Sequence, residues 1–176
     1  MEVSKKALQN NARIVRGLLA PSVQLMAVVK SNAYGHGLVE TAKILANSHL
    51  GVELLNLRSS TPQSGIWLGV DNIDEAILLR ENRITAPILI LGYTPADQIK
   101  KAKIYDLRFT IYDLDVLGKI LKNWKLEIGN WKFHLKVDTG MSRQGVLVSD
   151  LPKFLKSIPR GLQIEGVYTH FANADN

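Results

Sequence analysis

The sequence predicts an α/β fold in which buried parallel strands alternate with helices, and three observations support this fold class. Short apolar runs rich in Val, Ile and Leu recur along the chain, as expected for parallel strands covered on both faces. Each run but the last is followed by a segment with helical spacing of its apolar residues, which implies right-handed βαβ units. Chemically capable residues end several of these strands, a placement typical of (β/α)8 barrels and of doubly wound sheets alike.

The predicted elements follow one another in a regular order after an amino-terminal amphipathic helix. The predicted strands, each with its following helix, are residues 23–30 with 38–48, 66–70 with 72–84, 86–92 with 94–106, 108–112 with 113–123 and 132–138 with 148–158, and then a last strand at 162–171. The apolar face of the amino-terminal helix is predicted to contain Leu8, Ile14, Leu18 and Leu19. The apolar face of the helix at 72–84 is predicted to contain Ile73, Ile77 and Leu78, with Asp71 and Asp74 near its start.

The predicted domain organisation is a single domain over residues 1–176, because the chain is long enough for one sizeable core. A complete barrel needs eight strands, and six are predicted, so either two strands are missing or the sheet is open. Residues 49–64 do not fit the alternation and are interpreted as an atypical insertion, because βα connections are usually about two to six residues long.

The composition excludes several classes of function. The net charge is +6, but basic residues are scattered, and the run around Lys100 is interpreted as a solvated helix face and not as a nucleic-acid site. The absence of cysteine excludes disulfides, thiolate catalysis and thiolate metal sites. No signal peptide or membrane-spanning run is recognised. We therefore expect a cytoplasmic protein that binds a small, preferably anionic ligand, with no nucleic-acid, membrane or metal partner.

The segment "MAVVKSNAYGHGL", residues 26–38, is the strongest candidate for a site. A lysine at a strand end is usually a surface residue, but the apolar run before Lys30 predicts a desolvated stem, which favours the neutral amine. Such an amine can form a Schiff base with pyridoxal phosphate. Gly35 and Gly37 allow close backbone approach, and the Tyr34 hydroxyl can bind a phosphate or a neighbouring amine.

Two later strand ends are expected to place further functional groups on the same face. Lys136 leads into a loop bearing Arg143, whose planar cation suits a carboxylate or phenolate oxygen, and His170 lies at the end of the last predicted strand. The alternatives are that Lys136 and Arg143 simply pair with Asp138, and that His170 is a hydrogen-bonded core histidine. The residues alone leave these alternatives open.

Three segments of the chain closely resemble the bacterial alanine racemase family, specifically its amino-terminal barrel domain. They are "AVVKSNAYGHG", "KVDTGMSRQG" and "YTHFANAD", and "LGVDNIDEAILLRENRITAPILILG" matches the stretch between the first two. The resemblance covers nearly all of the chain except residues 49–64. It implies a (β/α)8 TIM-type barrel of which the first six β/α units are present, without the family's carboxy-terminal β-domain.

The resemblance also implies residue roles in a cofactor site. Lys30 would carry pyridoxal phosphate as a Schiff base and act as one of two bases that interconvert L-alanine and D-alanine, a precursor of peptidoglycan. Tyr34 would lie near the cofactor phosphate, and Leu68 would line the pocket. Arg143 would contact the cofactor's phenolic oxygen and the substrate, and His170 would pack near the cofactor ring.

Other family features lie partly outside this sequence. Lys136 matches a lysine that is often carbamylated to orient the arginine, and the family is homodimeric. The opposing base is a tyrosine from the partner's carboxy-terminal domain, so the chain is interpreted as a truncated racemase with little activity of its own. The alternatives are a pyridoxal phosphate-binding barrel without racemase activity, for which "AYGHG" is unfavourable, and an inactive remnant whose open sheet exposes unpaired edges.

Overall fold

The structure is a computed structural model that describes residues 2–47, 65–123, 131–159 and 162–174. The chain is divided into two compact units, Met1–Leu89 and Ile90–Asn176. The predicted insertion at residues 49–64 lies outside the described residues and stays a prediction. Within the described ranges, no helix has the length and apolar character needed to cross a membrane.

The first unit alternates strands and helices in the predicted order. Its elements are α1 (Lys5–Gly17), β1 (Met26–Val28), the helical turn α2 (Lys30–Tyr34), α3 (Leu38–Ala46), β2 (Trp67–Val70), α4 (Ile73–Glu81) and the beginning of β3 (Ile88–Ile90). β1 and β2 are parallel, with Ala27 opposite Leu68, and the Leu68 N–H donates to the Pro87 carbonyl just before β3. Asn72 caps α4, since its side chain accepts a hydrogen bond from the Glu75 N–H.

Two expectations for the first unit are wrong in detail. β1 is shorter than the predicted 23–30 strand and is not covered on both faces, because Val28 is exposed. In α4 the buried residues are Ile73, Ala76 and Leu79, whereas Leu78 is exposed. The buried row follows an i, i+3 spacing, so the small Ala76, which the apolar pattern did not weight, faces the core in place of Leu78.

The second unit contains a parallel sheet centred on one long strand. After β3 come α5 (Ile99–Ile104), β4 (Arg108–Ile111), α6 (Leu114–Asn123), β5 (Lys132–Asp138), β6 (Val146–Leu147), a 3-10 turn (Val148–Asp150), α7 (Leu151–Ser157) and β7 (Gln163–Tyr168). β5 pairs in parallel with β4 on one side and with β7 on the other. Phe109 and Phe133 stack with their ring centroids 6.2 Å apart in its core.

The short strand β6 is a seventh strand among the described residues, beyond the six predicted. It pairs in parallel with the end of β5, Val137 opposite Val146. A Cβ on Gly145 would lie 2.7 Å from the Val137 carbonyl carbon and would clash with the Asp138 backbone, so only glycine permits this approach. Two residues are too few to produce a strand pattern in the sequence.

Lys100 lies on a solvated helix face, as the sequence predicts. Lys100, Lys101 and Lys103 are exposed on α5, while Ile99 and Ala102 are buried beneath them. Lys103 also places its Nζ 5.5 Å from the centroid of the Trp131 ring. The basic run thus covers the core of this unit with its charged ends in solvent.

Polar side chains join β7 to β4 and β5. Arg108 donates from Nε and Nη2 to the two carboxylate oxygens of Glu165, at 2.9 and 3.1 Å. The Nε2 atom of His134 lies 3.5 Å from Glu165 Oε2, and Gly166 is the register partner of His134. Burial lowers the pKa of His134, although the neighbouring Glu165 acts in the opposite direction.

Candidate functional site

Lys30 lies two residues after the end of β1, separated from it by Val29, and begins the turn α2. The last hydrogen bond between β1 and its neighbour runs from the Val29 N–H to the Gly69 carbonyl, at 2.8 Å. Beyond this bond the chain leaves the sheet, and the Lys30 side chain is 33% exposed. Val29, just before Lys30, is fully buried, so the chain passes at Lys30 from the core to a partly exposed position.

The turn after Lys30 has an unusual left-handed conformation. Four consecutive non-glycine residues, Ser31 to Tyr34, have φ between 50° and 56°. Such a conformation costs about 1 to 2 kcal/mol for each ordinary residue, so the surrounding structure must hold it. Gly35 and Gly37 continue with positive φ, which glycine adopts without that cost.

Asn32 stabilises the turn from inside. Its side-chain oxygen accepts a hydrogen bond from the Leu38 N–H at 2.9 Å, at the start of α3. Its backbone carbonyl accepts bonds from the N–H groups of Gly35 and Gly37, both at 3.0 Å. The turn is therefore anchored to the beginning of α3, and Tyr34 projects from it with 64% of its surface exposed.

Two carboxylates lie beside Lys30. Its Nζ is 3.6 Å from Asp71 Oδ1 in the loop after β2. The Glu75 carboxylate accepts one hydrogen bond from the Ser31 N–H and one from the Asp71 N–H, each 2.8 Å long. Leu68, the predicted pocket residue, is fully buried on β2.

In the second unit, Lys136 is a buried lysine near the end of β5. Its side chain donates to Gln144 Oε1 at 2.9 Å, and its Nζ lies 5.7 Å from the centroid of the Tyr168 ring. Lys136 and Tyr168 are register partners on β5 and β7. An amide oxygen and an aromatic face both suit a cation, so the structure provides partners for a buried ammonium.

The loop after β5 is organised by Asp138. Its Oδ1 accepts hydrogen bonds from the Gly140 and Ser142 N–H groups, at 2.9 and 3.0 Å. These backbone donors are the main cause that holds the pKa of Asp138 below its ordinary value. Arg143 follows in this loop and is exposed, and in the described parts of the chain its side chain makes no ion pair. Pairing of Arg143 with Asp138, the alternative considered from the sequence, is therefore not observed.

The end of β7 carries Tyr168 and, two residues later, His170. The Tyr168 hydroxyl lies 2.9 Å from Thr110 Oγ1, which in turn donates to the Ile90 carbonyl at 2.7 Å. Burial raises the pKa of the Tyr168 hydroxyl to about 12. His170 is exposed, so the alternative of a buried core histidine is wrong.

The structure adds four residues that the sequence argument did not assign to the site: Asp71, Glu75, Gln144 and Tyr168. Tyr168 could have been found from the pattern, because it lies two residues before His170 on the predicted strand 162–171, and alternate residues of a strand share a face. Gln144 neighbours Arg143 in sequence. Nothing in the sequence indicated Glu75, whose acceptor role depends on a residue 44 positions away.

Comparison with known proteins identifies the family to which the chain is similar. The profile described as "Alanine racemase, N-terminal domain" matches residues 3–66 and 63–176. The alanine racemase of Methanococcus maripaludis is 39% identical over 178 residues, covering 99% of this chain and 44% of the relative. Alanine racemase 1 of Bacillus subtilis is 38% identical and covers 99% of this chain and 41% of the relative.

Solved structures agree with this result. The structure of alanine racemase from Bacillus anthracis with bound L-Ala-P aligns with a TM-score of 0.81 at 37% identity, over 98% of this chain and 42% of that one. The Clostridium difficile alanine racemase in complex with cycloserine aligns with a TM-score of 0.75 at 31% identity, over 96% and 43%. The predicted fold class, parallel strands alternating with helices as in the alanine racemase barrel, is confirmed. The chain spans less than half the length of these proteins.

Proposed function

Because this chain belongs to the alanine racemase family, we propose that it takes part in the pyridoxal phosphate-dependent interconversion of L-alanine and D-alanine, with Lys30 holding the cofactor. The observation that carries the proposal is the position of Lys30. It lies at the carboxyl end of a parallel strand, in a turn held in a costly left-handed conformation. Strain of this kind is concentrated at functional sites, and strand ends are where barrel enzymes place their reactive groups.

The residues around Lys30 fit a phosphorylated aldehyde cofactor. The Lys30 side chain is partly exposed, so an aldehyde can reach its amine. Tyr34 presents an exposed hydroxyl that can donate to a phosphate oxygen. Leu68 is fully buried on the neighbouring strand, so its proposed place in the pocket depends on the family resemblance alone. When bound, pyridoxal phosphate withdraws electrons from the α-carbon of the amino acid and so makes its proton removable.

Three residues of the second unit are proposed as further members of the machinery, with the roles that the family resemblance implies. Arg143 binds the cofactor's phenolic oxygen and the substrate, for which its exposed guanidinium is suited. His170 packs near the cofactor ring. Lys136 is the candidate for carbamylation, in which its neutral amine bonds to the carbon of carbon dioxide and releases a proton. The resulting negative charge would then orient Arg143.

Lys30 is proposed as one of the two bases. Racemisation requires that the α-proton leave on one face of the substrate and return on the other. Lys30 serves one face, and by the family resemblance a tyrosine of the partner's carboxy-terminal domain serves the other. A homodimer, alanine as substrate, a supply of D-alanine for peptidoglycan and a cytoplasmic location belong to the same proposal.

Borohydride fixation tests the role of Lys30. The full chain is incubated with pyridoxal phosphate, reduced with borohydride and mapped by peptide mass spectrometry, and the label is expected on Lys30. Lys43 is a matched control, because its side chain is 42% exposed and its Nζ lies 3.9 Å from the Glu40 carboxylate. Equal labelling of Lys30 and Lys43 would remove Lys30 from the proposed site.

An activity assay then separates racemase from cofactor-binding protein. We expect the chain alone to convert L-alanine to D-alanine slowly, because loss of one general base costs about 10²- to 10⁴-fold. The Lys30→Ala variant supplies the blank. Turnover near about 1 to 10³ per second would show that a second base lies within this chain. Labelling of Lys30 without any turnover, even in a version extended to the full length of the family, would favour a cofactor-binding protein without racemase activity.

A further inference from the structure

We infer that Glu75 is a positioning residue for Lys30, and that its carboxylate holds the turn bearing Lys30 against the loop bearing Asp71. Glu75 lies in the first turn of α4 and is partly buried. Each of its carboxylate oxygens accepts one backbone N–H, from Ser31 and from Asp71, at 2.8 Å. A single side chain therefore links the residue after Lys30 to the residue after β2.

The two strands separate at the point where Glu75 acts. The hydrogen bond from the Val29 N–H to the Gly69 carbonyl is the last link between β1 and β2, and the left-handed turn begins directly beyond it. Asn32 anchors the far end of the turn to α3, and a link at the beginning of the turn is also needed to keep it from relaxing toward ordinary right-handed backbone conformations. The bond from Ser31 to Glu75 supplies that link at the first left-handed residue.

The same carboxylate determines the setting of the Lys30 amine. Lys30 Nζ and Asp71 Oδ1, 3.6 Å apart, belong to the two backbone segments that Glu75 joins. Asn72 accepts the Glu75 N–H at 3.0 Å, which fixes the start of α4 and hence the place of the carboxylate. Moving Glu75 would therefore displace both the lysine turn and its neighbouring carboxylate.

A carboxylate of this length satisfies both backbone donors, one with each oxygen. A glutamine has one carbonyl oxygen, and its NH₂ group would face an N–H with no acceptor between them. An aspartate is one methylene shorter. Glu75→Gln should therefore release one of the two segments while it keeps the size of the side chain.

The test rests on the proposed function, since its main readout is fixation of pyridoxal phosphate on Lys30. In Glu75→Gln, the rate of borohydride-trapped labelling of Lys30 relative to Lys43 should fall about 10- to 100-fold, because misplacement by about 1 Å has effects of this size. Asp74→Asn removes a neighbouring exposed charge of the same helix turn, and Ala76→Gly weakens α4 without touching the lysine turn. Both control variants should leave the labelling of Lys30 relative to Lys43 unchanged. If Glu75 only stabilised α4, Ala76→Gly would lower this ratio as well.

Hydrogen exchange separates this inference from the proposed function. In Glu75→Gln, the Ser31 or Asp71 amide should exchange faster, while buried amides of β2 stay protected. Unchanged exchange together with an unchanged labelling ratio would overturn the inference. Faster amide exchange at Ser31 or Asp71, in a chain that is not labelled on Lys30 at all, would support the positioning role of Glu75 and contradict the proposed function. If Glu75→Gln does not fold, the amide exchange rates of Ser31 and Asp71 in the unmutated chain are measured instead. Rates equal to those of an unstructured peptide would overturn the inference, and slower exchange of these two amides would support it.

Discussion

Gly166→Ala should destabilise the protein through one identified contact. Gly166 lies on β7 opposite His134 of β5. A Cβ at this position would lie 2.7 Å from Cε1 and 2.8 Å from Nδ1 of the His134 ring. Ordinary carbon contacts are about 3.5 to 4.0 Å, so the ring or the strand must move by about 0.8 Å or more. The ring cannot move freely, because its Nε2 atom lies 3.5 Å from Glu165 Oε2 and Arg108 holds the same carboxylate with two hydrogen bonds.

The size of the effect follows from two opposing contributions. Overpacking of this kind costs about 1 to 3 kcal/mol. Replacing glycine by alanine within a strand returns about 0.5 to 1 kcal/mol, because the unfolded chain has less freedom to lose. We therefore expect a net loss of up to about 2.5 kcal/mol in the free energy of unfolding, with a central value of about 1 kcal/mol. For a chain of this length, a loss of about 1 kcal/mol corresponds to a decrease in Tm of about 2 to 4 °C.

A double-mutant cycle followed by far-UV circular dichroism during urea denaturation tests the reasoning. In a His134→Ala background the new methyl group has space, so Gly166→Ala should be neutral or stabilising there. Gly118→Ala is the matched control, because no atom lies within 4 Å of the added Cβ on that helical glycine. It should stabilise the protein by up to about 1 kcal/mol. If Gly166→Ala costs the same with and without the imidazole, to within about 0.5 kcal/mol, the clash is not the cause.

Three further predictions concern titration and cofactor binding. Because burial lowers the pKa of His134 in the folded state, the unfolded chain binds a proton at higher pH than the folded chain does. The free energy of unfolding should therefore fall as the pH decreases below about 6.5, and His134→Gln should flatten this part of the pH profile. The pKa of Tyr168 is raised to about 12, so stability that is present below pH 10.0 should be lost as the pH rises toward 12. Tyr168→Phe should abolish this loss. At pH 7 the same substitution should cost about 1 to 2 kcal/mol in the free energy of unfolding, since Thr110 loses a hydrogen-bond partner. Arg143→Lys keeps the charge but loses the planar guanidinium, so the Kd for pyridoxal phosphate in an absorbance titration should rise about tenfold. The control Arg13→Lys on α1 should not change this Kd. Equal effects of the two substitutions would exclude Arg143 from the site.

Local patterns in the sequence were sufficient for most of the fold. The predicted strand at 132–138 coincides with β5, because an apolar run there is bounded by polar turn residues. The sequence also predicted Lys30 and His170 at the ends of strands, since strand ends are visible as changes in composition, and in the structure each lies two residues beyond a strand, β1 and β7 respectively. The roles of these residues toward a cofactor depend on the family resemblance and stay predictions.

Other features were decided only by tertiary structure. The exposure of Val28 and the burial of Ala76 in place of Leu78 depend on which neighbours cover each face, and periodicity does not specify the neighbours. The pairing of β6 with β5 requires the close approach that Gly145 permits.

The carboxylate of Glu75 joins Ser31, 44 residues earlier in the chain, to Asp71. Such contacts arise because parallel strands bring distant segments to one edge of a sheet in a particular register. The sequence by itself determined where the reactive lysine lies along the chain. The folded structure determined which groups hold it there, because those groups are neighbours in space and not in sequence.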